Sequence, residues 1–165
     1  MMGRALLVVG VVGTAGLVAA AVAGYAIRDP RALQLHLVLA LVSCLLVLFS
    51  HCWIMFYLIG TGKAIRETVR ERHLEAGLYE RTKEFKNRSY PALMLAMALA
   101  MATFIAGGAA FAQAVPAAAH HALFYATLAA QCWALVLETR VLASNERLMA
   151  EIERRLRSAA ALEVG

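Results

Sequence analysis

Two long stretches of the chain, residues 32–62 and 89–137, carry no charged side chain. A helix needs about 20 apolar residues to cross a hydrocarbon core of roughly 30 Å. The first stretch fits one generous span, and the second, divided by Pro116, fits two. A further apolar run between Arg4 and Arg28 adds another. The pattern therefore predicts four membrane-spanning helices, at about 5–27, 32–60, 91–114 and 117–137. The first run has the three parts of a secretory signal: Arg4, an apolar core and Ala21-Val22-Ala23. It is longer than the usual signal core of about 7–15 residues, and is read as a retained span.

Helical spacing continues past Gly60 through Lys63, Ile65, Arg66, Val69 and Arg70. Gly77 marks a turn, and Leu78, Thr82, Phe85 and Ser89 return at helical spacing to Pro91, which opens the third span. Proline is well tolerated in a helix's first turn. Residues 61–90 are thus expected to form a helical hairpin. Beyond the fourth span, over 138–160, Leu142, Asn145, Met149, Ile152, Leu156 and Ala159 recur in steps of three and four. Such a seam buries one helix face, here against the hairpin, with self-association as the alternative. The expected fold is all-α: an integral membrane four-helix bundle in one membrane domain, 1–165, with a cytoplasmic helical hairpin and a helical C-terminal extension.

Composition agrees. The 165 residues are 62% hydrophobic and 16% charged, against about 45–50% and 25% in soluble domains. So small a soluble domain could not hide that much apolar surface. Of the 16 Lys and Arg residues, only Arg28 and Arg31 fall on the side of the short connections; Arg4, the hairpin and the tail hold the rest. Basic residues favour the cytoplasmic side, so both termini are expected there, in a bacterial-type inner membrane or a plasma membrane. The formal charge of +5 does not imply nucleic acid. The bases alternate with acids and lack the aromatic platforms of single-strand binders. Cys44, Cys52 and Cys132 lie within predicted spans and read as buried thiols. Gly16, Ala20 and Gly24 form one small-residue ridge and Ala92, Ala96 and Ala100 another, which let helix backbones approach closely. No internal repeat is evident.

Polar side chains inside a span are costly and mark candidate sites. His36 lies about five residues inside the outer end of the second span, and His120 and His121 about four inside that of the fourth. At 1.5 Å per residue the heights agree within a few ångströms. These histidines could hold a haem b axially or bind copper; the plainer reading makes them hydrated interfacial groups. A deeper group of His51, Met97, Met101 and Cys132 has the soft donors that suit copper or a His/Met haem, although methionine also fills apolar gaps. His51 could equally hydrogen-bond Gln131. His36, Ser43, Ser50 and Tyr57 recur every seven residues as a polar stripe that could line a pore. Glu138 is expected to pair with Arg140 or a hairpin arginine at the interface, or else to join His51 and Tyr57 in a proton chain. Trp53 and Trp133 could flank a pocket. Gly60-Thr61-Gly62-Lys63 lacks the spacing of a phosphate loop and reads as a helix bend.

Histidines on the second and fourth of four spans give an arrangement that resembles, in outline, the di-haem b-type membrane cytochromes. A second haem would require a histidine near residue 135, where Leu135-Val136-Leu137 stands. No nucleophile–base pair or acidic metal pair supports an enzyme acting on a soluble substrate. The residues leave three expectations: a redox or metal-handling membrane protein, a non-catalytic accessory or assembly subunit of a larger membrane complex, and a homo-oligomeric channel.

Overall fold

The computed structural model describes residues 2–164 and the side chains of residues 3–159. Four helices follow one another: α1 (Met2–Tyr25), α2 (Pro30–Glu71), α3 (Gly77–Phe111) and α4 (Ala117–Val164). All four are long and apolar enough to cross a membrane. Large side chains such as Val22, Phe56, Ile105 and Phe111 stand more than half exposed on the outside of the bundle. Lipid can solvate that surface and water cannot.

α1 lies against α2, α2 against α3 and α3 against α4, while α4 closes the ring on α1. α2 and α4 meet across the diagonal over a short stretch. Asp29 caps α2, accepting hydrogen bonds from the Arg31 and Ala32 amides at 2.8 and 3.0 Å, with Pro30 in the first turn. α2 and α3 both finish at a residue in the left-handed region, His73 (φ 50°) and Gln113 (φ 59°). Single residues of this kind commonly close helix C-termini. The short connections 26–29 and 112–116 define a turn end; the opposite end carries most of the charge.

The hairpin and tail are helical, as expected, but they are not separate elements. α2 runs unbroken through Gly60-Thr61-Gly62 and ends at Glu71, and α3 runs through Pro91 instead of starting there. Proline removes one amide donor, and the carbonyl left without it is that of Asn87, an exposed residue near the charged end. The third span stops at Phe111, short of residue 114. At about 1.5 Å per residue the 42 residues of α2 reach roughly 63 Å, about twice a hydrocarbon core. α2, α3 and α4 therefore continue together beyond the membrane as a three-helix extension. Its core is Ile65, Leu78, Leu148 and Ile152, joined by Leu74 and Leu156. The tail seam turns inward through Leu142, Asn145, Leu148 and Ile152, whereas Met149 stays 43% exposed. Arg81 of α3 reaches Glu151 at 2.7 Å, fastening the tail to α3, and Arg155 meets the same carboxylate at 2.7 Å from one turn further along α4.

The polar stripe of α2 packs against α1. Ser50 donates to the Leu6 carbonyl at 2.8 Å, and Ser43 is buried against Gly16. The ring of His36 sits on Gly24, and Tyr57 is near Gly3. The glycines of α1 and the polar residues of α2 thus meet as two antiparallel series. Small residues let the backbones close in, near enough for the Ser50 hydroxyl to reach a carbonyl of α1.

Candidate functional site: a histidine cleft and a buried acid–base pair

At the turn end the two hairpins, α1–α2 and α3–α4, part to leave a cleft of about 360 Å³. His36, His120 and His121 all line it, with Ala20, Gly24, Cys44, Thr103 and Gly107 among the other walls. The agreement in height read from the sequence is thus matched by a shared cavity. His36 and His120 are held in the same manner. His36 Nδ1 is 2.7 Å from the Ala20 carbonyl of α1, and His120 Nδ1 is 3.1 Å from the Thr103 carbonyl of α3. Each ring also lies on a glycine four residues further along, Gly24 or Gly107; a Cβ there would stand 3.0 or 3.1 Å from the ring Cε1. The two hairpins repeat one local construction that the sequence reading did not detect.

This construction fixes the tautomer. A carbonyl oxygen only accepts, so Nδ1 must carry the proton in both rings. Neutral imidazole then keeps a lone pair on Nε2, and neither Nε2 has a hydrogen-bond partner among the described residues. An imidazole whose Nδ1–H is tied to a carbonyl is the usual form of a metal-ligating histidine. His121 differs: it is exposed and its ring centroid is 5.2 Å from that of Tyr25. Tyr25 meets Tyr125 hydroxyl to hydroxyl at 3.1 Å, closing that side of the rim.

The deeper group is assembled differently from the expectation. Met101 is 47% exposed on the outside of α3, and Cys132 is exposed on α4. Cys52 Sγ, not His51, approaches Met97 Sδ, at 3.6 Å. His51, Met97, Met101 and Cys132 therefore do not converge. Both rows of α-helix residues were apolar on several faces, and lipid accepts sulfur as readily as a core does. Trp53 and Trp133 also face outward, 45% and 52% exposed, and are not among the residues lining the histidine cleft.

His51 is instead the centre of a buried polar cluster on the α2–α4 diagonal. Its Nδ1 is 2.5 Å from Glu138 Oε1 and its Nε2 is 2.8 Å from Gln131 Oε1. Gln131 Nε2 donates to the Ala96 carbonyl of α3 at 3.3 Å. All three side chains are fully buried. Glu138 thus lies inside the bundle, not at an interfacial arginine. The signal was present in the sequence: Gln131 and Glu138 are seven residues apart, on one face of α4. The hydrogen bond from His51 to Gln131 was anticipated; the Glu138 pairing was named only as the alternative, and Tyr57 takes no part in it.

Proton positions follow from the donors. Gln131 spends its amide nitrogen on Ala96, so its oxygen faces His51 and His51 Nε2 is the donor. A single proton is then left between His51 Nδ1 and Glu138 Oε1. Whichever atom carries it, the pair has no net charge, which suits a site shielded from water. Glu138 Oε2 is buried with no hydrogen-bond partner.

Among the described residues no three His, Cys, Asp or Glu side chains are grouped to hold a metal ion. Comparison with protein-family models, with curated proteins and with solved structures finds no match.

Proposed function

We propose that the cleft binds a haem, with His36 and His120 as axial ligands, and that the protein is a membrane redox component. The observation that carries this reading is the matched pair of Nδ1–carbonyl bonds, which leaves two Nε2 lone pairs on diagonal helices lining one cavity. Of the histidines lining the cleft, His36 and His120 are the two whose Nδ1 is tied to a carbonyl, and in this reading the remaining ligands come from the bound molecule. A tetrapyrrole brings four nitrogens of its own and uses axial histidine. Its flat apolar ring suits walls of Gly24, Gly107 and Ala20. A bare copper ion needs little of a 360 Å³ space. A quinone carbonyl would need a donor, which neutral Nε2 is not.

In the same reading the charged end and both termini face the cytoplasm, because 14 of the 16 basic residues lie there. The deciding measurement is an absorption spectrum with elemental analysis of protein purified in detergent. A Soret band is expected, lost in His36→Ala and His120→Ala and retained in His121→Ala. Folded protein that is colourless and metal-free, or that carries copper in place of haem, overturns the assignment.

A further inference from the structure

The interior of α4 carries polar side chains along much of its length. Thr127 lines the cleft and shares a 2.7 Å hydrogen bond with Thr103. Gln131 and Glu138 hold His51. The Oδ1 of Asn145, also buried, lies 3.4 Å from the Thr61 hydroxyl, which also reaches the Tyr57 carbonyl at 3.0 Å, and Thr61 lines an open groove at the charged end beside Arg4 and Glu146. From 127 to 145 the intervals are four, seven and seven residues, which keeps the series on one inward face. Buried polar groups thus recur at intervals along α4 between the groove at the charged end and the histidine cleft.

We propose that the His51–Glu138 pair takes up the proton that accompanies one-electron reduction in the cleft, drawn from the charged end past Thr61 and Asn145. The proposal rests on the haem reading above. A haem held by His36 and His120 would supply the one-electron acceptor for an external one-electron donor, and for each electron so taken up one proton from solvent would add to the pair. The pair goes from one proton to two: Nδ1–H points at Oε1, and the new O–H bond forms on Glu138 Oε2, the oxygen without a partner. Nothing else leaves. One negative and one positive charge enter together, so the net charge of a low-dielectric interior is unchanged. An uncompensated charge there is expensive.

Among the described residues, no other buried titratable side chain touches the pair. α1 contributes Leu6 and Gly10, and α3 contributes Leu93 and Ala96. Tyr90 of α3 is engaged with the Met55 carbonyl, Tyr57 lies nearer the charged end, and Arg140 and Cys132 face outward.

The test is redox titration of haem-loaded protein across pH, with infrared detection of the Glu138 carboxyl. The potential is expected to fall as pH rises in the wild type and to be flat in Glu138→Gln. A carboxyl band is expected to grow on reduction at constant pH. A wild-type potential independent of pH, a variant with the wild-type slope, or a band unchanged by reduction overturns the coupling while leaving the haem reading intact. Protein that binds no haem overturns both. The infrared measurement on the wild type decides the matter even if the variant does not fold.

Discussion

Gly13 of α1 and Val47 of α2 approach so closely that a Cβ on residue 13 would stand 3.0 Å from the Val47 backbone nitrogen and 2.9 Å from Cγ2. A backbone atom cannot rotate aside as a side chain can. Gly13→Ala should therefore spread α1 from α2 and destabilise the bundle by about 1–3 kcal/mol, the usual range for overpacking. Gly60→Ala, where nothing lies within 4 Å, is the control. Thermal unfolding in detergent distinguishes the two, with a lowered midpoint expected only for the first.

The acid–base pair gives a sharper contrast. His51→Leu leaves Glu138 and Gln131 buried without their partner, which costs about 3–5 kcal/mol for a broken buried pair. The double variant His51→Leu/Glu138→Leu removes both charged forms and should recover much of that loss. A double-mutant cycle measures the coupling directly. A double variant as damaged as the sum of the singles contradicts the account.

Filling the glycine seats should disturb the cleft without reaching the ligands themselves. Gly107→Val pushes against the His120 ring, and Gly24→Val against His36. Losses in ligand orientation of this kind typically weaken binding by about 10–100-fold. Haem affinity measured by absorbance titration is expected to fall accordingly in both variants. Circular dichroism should retain the helical signal.

Outside the membrane, Glu151 governs the tail. Hydrogen bonds from Arg81 and then Arg155 hold its carboxyl below the ordinary glutamate value. A depressed folded value contributes stability that is present above the unfolded value, about 4.3, and is lost as pH falls through the lower folded one. The docked tail should keep its amide-exchange protection from neutral pH to about 5 and loosen only below about 4. Glu151→Gln should abolish that acid-dependent step.

The spans, the helical extension and the level of the outer histidines were legible because hydropathy, charge and rise per residue fix position along an axis. Rotation about the axis was not. In water an apolar stripe betrays the inward face; in lipid both faces are apolar, so Met101 and Cys132 carried no mark of pointing outward. Glu138 misled because Arg140 lies two residues away, although the seven-residue interval from Gln131 was the better guide. The Gly24/His36 and Gly107/His120 seats escaped because they match in three dimensions while differing by one residue in spacing and having little similarity around them.

Each half of the chain supplies one of the two histidines and the carbonyl that orients it, so neither half can make the cleft alone. On the haem proposal, chains severed between Arg72 and Ala76 and co-expressed would take on colour only when their halves find each other. The spectrum would then serve as a reporter of docking between two separately inserted hairpins.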